Sequence, residues 1–262
     1  MKSPAKSLPE TTEDGLLGGR VTIIQPAGGY RAAIDPVLLA AAVPAATGDR
    51  VLDVGSGTGA AALALAARIE GVSVTGLEAQ ADLAALARES ARKSGLAEGV
   101  SFLDGNLLDP PDVLISGLFD HVMANPPYLA AGSGNPPPAA ARRLATVEGD
   151  ARLVDWLGFM LTMVREGGSV TVIHRDDRAE EVLAGLAKGA GGIVVFPLWP
   201  KPTQQAAKRV IIRALKGATS ETRTAEGLVL DRKSTRLNSS HKPISYAVFR
   251  SKKKKHSPLT RV

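Results

Sequence analysis

The sequence predicts an α/β fold in which helices cover both faces of a parallel sheet. Three observations carry this. Short apolar runs near 50–54, 72–77, 100–104, 119–124 and 169–174 alternate with helix-forming stretches near 59–68, 80–94, 151–165 and 177–188. The first of these runs ends in a glycine-rich turn that opens directly into a helix. The fourth ends in Asn125-Pro126-Pro127-Tyr128.

The elements follow in order. Residues 1–14 are polar and are expected to be disordered. Val21 to Ile24 reads as a short strand in a small N-terminal sheet. Pro36 opens a helix that runs through Val43, with Asp35 as its N-cap. The alternating body follows, and 191–198 and 208–214 close it. Trp156, Phe159 and Met163 stand at helical spacing and are expected in the core. His174 and Arg175 end a strand, and His174 reads as structural. Residues 129–148 form a long loop with Gly132, Gly134 and Pro136 to Pro138. This loop leaves from Tyr128 and is expected to edge a substrate cleft. The domain boundaries are a polar N-terminus (1–14), an N-terminal extension (15–48), the main domain (49–217), a C-terminal segment (218–230) and a tail (231–262).

Val51-Leu52-Asp53-Val54-Gly55-Ser56-Gly57-Thr58-Gly59 is a buried strand ending in the glycine turn. Glycines let the backbone turn sharply and approach a ligand closely, and the helix from Ala60 offers free N–H groups at its start. The next strand ends at Glu78, where an acid can hold a pair of ribose hydroxyls. Gly55-x-Gly57-x-x-Ala60 also fits a dinucleotide fingerprint. Asp53 weighs against that reading. Its charge just before the turn would repel a pyrophosphate but would welcome an amino group.

Phe119, Val122 and Met123 make a short strand that delivers Asn125 to its end. The two prolines fix φ near −65° and carry no N–H, so the backbone offers carbonyl acceptors without competing donors. Asn125 adds a side-chain acceptor and Tyr128 a flat face. Such a site suits a planar group bearing –NH2. A proline-stiffened turn with Tyr128 as packing is the plain structural alternative.

Together these motifs resemble those of the class I S-adenosylmethionine-dependent methyltransferases that act on exocyclic or amide nitrogens. Leu16-Leu17-Gly18-Gly19-Arg20, Gln25-Pro26-x-x-Gly29-Tyr30-Arg31 and Asp35-Pro36-Val37-Leu38-Leu39-Ala40 narrow the likeness. They are similar to bacterial methyltransferases of the tRNA1(Val) adenine-37 N6 type, which modify the base beside the anticodon. The resemblance covers roughly 13–230. It implies a Rossmann-like, mostly parallel seven-stranded sheet whose last strand, 208–214, is antiparallel. It also implies S-adenosyl-L-methionine as cofactor, bound through Asp53, Gly55, Ser56, Gly57, Gly59, Glu78 and Asn106. Asn125, Pro126, Pro127 and Tyr128 would act on the substrate, with Tyr128 stacking the base. Asp35 and Tyr30 would stand near the cofactor entrance, where a cap and a packing residue are equally good accounts. Many relatives carry Gly-Asp where this chain has Gly105-Asn106, and the Asn106 amide oxygen can still accept a hydrogen bond from the cofactor's adenine. The implied partner is tRNA, with no metal, and the expected state is a monomer or weak dimer. The alternatives are a protein glutamine-N5 methyltransferase and a methyltransferase of another RNA. More distant ones are a dinucleotide oxidoreductase and an RNA-binding module on a decayed enzyme fold.

Composition sets bounds on these readings. An apolar share of 44% over 262 residues supplies a core for one large domain. There are no cysteines, so disulfides and thiolate metal sites are excluded, and the four histidines lack zinc-like spacing. Met1 to Thr12 has no apolar run, and no membrane span is evident. A cytoplasmic enzyme is expected. The net charge of +6 misleads, because 231–262 carry ten Lys and Arg against one acid. That leaves 22 basic and 25 acidic residues in 1–230, a net −3. All 27 glycines precede Asp231, and only Ala247 continues the body's alanine richness. From Asp231 the chain resembles a translation of sequencing-adapter DNA, so a native C-terminus different from this tail is expected. A basic RNA-binding tail around Lys252 to Lys255 is the functional alternative. Arg142, Arg143, Lys201, Lys208 and Arg209 are candidates either for a solvated face or for phosphate contact.

Overall fold

The computed structural model describes residues 10–28, 31–32, 34–129, 149–201 and 206–230. The expectations for Tyr30, Arg142, Arg143, nearly all of the 129–148 loop and the tail lie outside these residues.

Apolar residues alternate along the strands and segregate to two faces. In β3 (Arg50–Val54), Val51 joins the cluster formed with α1 (Ile34–Ala42), α2 (Ala60–Arg68) and α3 (Ala81–Lys93). Leu52 and Val54 join the opposite cluster, under α4 (Leu153–Met163) and α5 (Ala179–Leu186). This period of two makes a sheet buried on both sides. Burying one such Val or Leu contributes roughly 1.5–3 kcal/mol. The remaining strands are β4 (Ser73–Glu78), β5 (Val100–Asp104), β6 (Phe119–Ala124), β7 (Val164–Arg175), β8 (Ala190–Trp199) and β9 (Arg209–Lys216).

The seven strands run β5-β4-β3-β6-β7-β9-β8, all parallel except β9, which is antiparallel to both β7 and β8. This is the expected sheet. Two two-residue strands, β10 (Arg223–Thr224) and β11 (Leu228–Val229), add to the outer edge of β8, giving nine in all. The chain leaves β3 toward β4 and later leaves β6 toward β7, in opposite directions. The crevice beyond the ends of β3 and β6 is therefore the sheet's topological switch point, where open α/β folds bind ligands.

Three expectations are corrected. Residues 11–14 are not disordered. β1 (Thr11–Leu16) pairs antiparallel with β2 (Val21–Pro26), and Asp14 ties the hairpin through Gln25 and Arg31. The helix read as 151–165 stops at Met163, because Val164 turns extended (φ −74°, ψ 140°) and starts β7. Asp35 does not precede the helix but lies in its first turn, with its carboxylate used by distant side chains.

The outer edge of β2 is closed by serines. Its N–H groups at Thr22 and Ile24 donate to Oγ of Ser94, the residue just past α3, and of Ser90 within it, at 3.0 and 2.9 Å. Two residues of strand span ~6.6 Å and four residues of helix ~6.0 Å, so a serine pair at i, i+4 matches alternate strand donors. Among the described residues no helix is long and apolar enough to cross a membrane.

Candidate active site

Registers across the switch point bring the motifs together. Val54 faces Leu77 on one side and Ala124 on the other. The residues that follow, Gly55, Glu78 and Asn125, therefore emerge side by side at the strand ends. They line one cavity of about 380 Å³ together with Asp53, Ser56, Gly57, Asn106, Pro126, Pro127 and Tyr128. Gly59 alone of the expected set is outside the lining. Its φ of +87° and the Phe102 ring, 2.6 Å from where a Cβ would stand, give it a conformational role at the start of α2.

Asp53 is buried and faces α2. The Ala62 N–H nearby favours its charged form, while its Oδ2 has no hydrogen-bond partner. Burial pushes its carboxyl up to about 8, and the neighbouring Glu78 charge adds to this. An orphaned acid of this kind fits an amino group brought by a ligand. The Glu78 oxygens accept from Gly57 N–H at 2.8 Å and Gln80 N–H at 2.9 Å. Burial raises its pKa as well, against these backbone bonds. Each oxygen keeps a lone pair, which suits a diol. Ser56 Oγ is buried without a partner. Asn106 Oδ1 already accepts from Leu108 N–H at 3.1 Å, leaving one acceptor position.

At the other end, the Tyr128 hydroxyl lies 2.7 Å from both Asn125 Oδ1 and Asp35 Oδ2. The Arg209 guanidinium sits 4.5 Å above the Tyr128 ring, and its Nε donates to Asp35 at 3.2 Å. One ring face is thus taken, and the hydroxyl, given no role by the sequence reading, is engaged. Arg209 is part of the site's scaffold rather than a solvated cation. His174, fully buried, meets Tyr128 edge-on at 5.5 Å.

Sequence reasoning missed two walls. Gln25 and Pro26 of the hairpin line the cavity, with Gln25 held by Asp14 and by the Ala32 N–H. These residues lay inside the N-terminal motif but were given no site role. Trp156, assigned to the core, is half-buried and lines the cavity against Gly55. Its place beside the Leu153, Leu157, Met160 stripe hid this. Gly55 needs to be glycine on two counts. Its φ is +70°, and a Cβ would come within 2.4 Å of the Trp156 ring. A wider depression of about 600 Å³ elsewhere, edged by Gly117, Gly158 and Gly189, contains none of these groups.

The sheet order and the cavity at its switch point are those of the Rossmann-like class I methyltransferase fold, a fold that carries S-adenosylmethionine as methyl donor. Residues 51–147 match the family model described as a methyltransferase domain. A release factor glutamine methyltransferase of Deinococcus radiodurans is 48% identical over 80 residues, 30% of this chain and 27% of that protein. The tRNA1(Val) (adenine(37)-N6)-methyltransferase of Aeromonas hydrophila is 29% identical over 184 residues, 70% of this chain and 75% of that protein. The chain thus spans about a quarter of the first relative and three quarters of the second. A predicted O-methyltransferase from Agrobacterium tumefaciens shares the fold, with TM-score 0.63 and 24% identity over 77% of this chain and 90% of that one.

Proposed function

We propose that this protein is an S-adenosylmethionine-dependent methyltransferase acting on the exocyclic N6 of an adenine in tRNA, of the anticodon-loop adenine-37 type. The observation that carries the chemistry is the placement of Asn125 and the N–H-free Pro126-Pro127 backbone on one cavity with Asp53, whose Oδ2 has no partner. The length of the match to the Aeromonas enzyme, 70% of this chain, favours tRNA.

The bound cofactor supplies an electrophilic methyl on a sulfonium, whose leaving group is a neutral thioether. Asp53 would hold its amino group and Glu78 its ribose hydroxyls, with Asn106 at its adenine. Asn125 Oδ1 and the Pro126 carbonyl would accept the two N–H bonds of the target amine. That draws its lone pair out of ring conjugation and into line with the methyl. The same dipoles stabilise the positive charge that grows on nitrogen. In the proposed reaction the methyl would pass from sulfur to nitrogen, and the surplus amine proton would go to water. His174 is a poor base for it, because it is fully buried outside the cavity lining and burial pushes its imidazole down to about 4. The Tyr128 ring would support the base, which must leave its stack to enter.

The 48% identity to the Deinococcus enzyme supports a second reading, transfer to a glutamine side-chain amide, which the same acceptors suit. Incubation with methyl-labelled S-adenosylmethionine and unmodified bulk bacterial tRNA, then digestion to nucleosides, separates the two. Label in N6-methyladenosine is expected. Label absent from RNA but present in a release factor overturns the tRNA assignment.

A further inference from the structure

The Tyr128 hydroxyl has one proton and two oxygens at 2.7 Å, Asn125 Oδ1 and Asp35 Oδ2. If the proton goes to Asn125, the amide oxygen needed by the target amine is partly consumed. The phenol then also faces the Asp35 carboxylate with no proton between them. If it goes to Asp35, the phenol oxygen turns a lone pair toward Asn125. A half-turn of the amide about its Cβ–Cγ bond then presents Nδ2–H there and releases Oδ1 to the cavity. A bond to a carboxylate is roughly twice as strong as one to a neutral amide, which selects the second arrangement. In it every group is satisfied. Asn125 Nδ2–H donates to Tyr128, Tyr128 donates to Asp35, and Arg209 Nε–H donates to the same carboxylate at 3.2 Å. Asp35 is only 8% exposed, so water competes little for this bond.

We infer that Asp35 is a positioning residue that acts through the Tyr128 hydroxyl to turn the Asn125 amide, so that its oxygen rather than its nitrogen meets the substrate amine. This rests on the methyl-transfer reading above and adds a role that the Asn-Pro-Pro-Tyr segment alone does not contain. It also revises the sequence-level view of Tyr128 as a flat face only, since a phenylalanine would keep the face and lose the relay.

The test reads the amide directly. In a 1H–15N spectrum of the uniformly labelled full chain, the Asn125 side-chain pair is identified by its loss in Asn125→Asp. One of its protons is expected to exchange slowly with solvent. Asp35→Asn and Tyr128→Phe should each speed that exchange by about tenfold or more, and the double variant no further. Spectral dispersion shows whether each variant is folded, and Tyr128→Phe, which removes one atom, keeps the test open if Asp35→Asn unfolds. With unmodified tRNA as acceptor, both variants should lose on the order of tenfold in kcat at unchanged KM for S-adenosylmethionine, without additivity. An Asn125 pair that is unprotected from the start, or that ignores Asp35→Asn, overturns the inference. So do additive losses that track only a falling melting temperature. If neither tRNA nor a release factor is methylated, the functional reading fails while the spectrum still decides the amide's orientation.

Discussion

The Nε2 atom of His174 lies 3.2 Å from the carbonyl oxygen of Pro127. A carbonyl only accepts, so Nε2 carries the proton and the ring is the neutral tautomer. His174 thus ties the end of β7 to the Asn-Pro-Pro-Tyr segment at the end of β6.

Burial pushes the His174 imidazole down to about 4, against an unfolded value of about 6.5. Between those values the unfolded chain binds a proton that the folded chain refuses. Stability contributed by His174 is therefore full above pH ~6.5 and is lost as pH falls toward 4. Between pH 7.5 and pH 5 this effect opposes that of Asp53, so His174→Phe should gain more, or lose less, in urea midpoint on acidification than the natural chain does. At pH 7.5 His174→Phe should itself cost about 1–3 kcal/mol, because Pro127 loses its donor. An equal pH response in both proteins removes His174 as a contributor.

Asp53 runs the other way. Its carboxyl is pushed up to about 8 while the unfolded value is about 3.9, so the folded chain holds an extra proton between them. The ligand-free protein should lose stability as pH rises from ~4 through ~8, and Asp53→Asn should exceed the natural chain in melting temperature above pH 8, by roughly 2–4 °C per kcal/mol. An amino group bound at Asp53 needs the charged acid. Affinity for S-adenosylmethionine should therefore rise with pH between about 6 and 8.5, with release of a proton. Calorimetry in buffers of different ionisation enthalpy measures this. Asp53→Asn should weaken binding by about a hundredfold and abolish the pH slope. A slope that survives in Asp53→Asn places the titrating group elsewhere.

Asn125→Ala separates chemistry from cofactor binding. Asn125 directly follows β6, whereas Asp53 is the last residue but one of β3 and Glu78 ends β4. Removing one preoriented acceptor of the growing charge should lower turnover by about 10²–10³. The dissociation constant for S-adenosylmethionine should stay within about threefold. Comparable loss in both quantities would contradict the role given to Asn125.

How far the sequence was legible depended on the range of each signal. The strands β5 and β6 were bounded to the residue, because their apolar runs end at Gly105 and at Asn125-Pro126, which are local stops. The glycine turn and Glu78 were legible for the same reason. The chemistry of Asp35, Arg209 and Trp156 was not. Asp35 and Arg209 are 174 positions apart and meet only because β9 inserts beside β7. Trp156 sits on a helix whose apolar period is satisfied whether the indole faces the core or the cavity. The β1 strand was missed because Thr11-Thr12-Glu13-Asp14 is polar. Its order comes from pairing with β2 and from Gln25 and Arg31 at Asp14, which no local pattern announces.

The serine pair at the C-terminal end of α3 gives the last prediction. Ser90 is fully buried, accepts from Ile24 N–H at 2.9 Å and donates to Leu86 C=O at 2.8 Å. Ser90→Ala leaves the Ile24 N–H buried without an acceptor, a loss of about 1–3 kcal/mol. Ser94 makes the matching bond to Thr22 at a half-exposed position, where water can replace it, so Ser94→Ala should cost less. The consequence reaches the site, because Ile24 precedes Gln25 and Pro26, which line the cavity. Ser90→Ala should lower the melting temperature by roughly 2–4 °C per kcal/mol and weaken S-adenosylmethionine binding. Ser94→Ala should change both by less. Scanning calorimetry with and without the cofactor reads both effects. Equal losses in the two variants would mean that the hairpin is held by its apolar face, Val21 and Ile23, and not by the serine ladder.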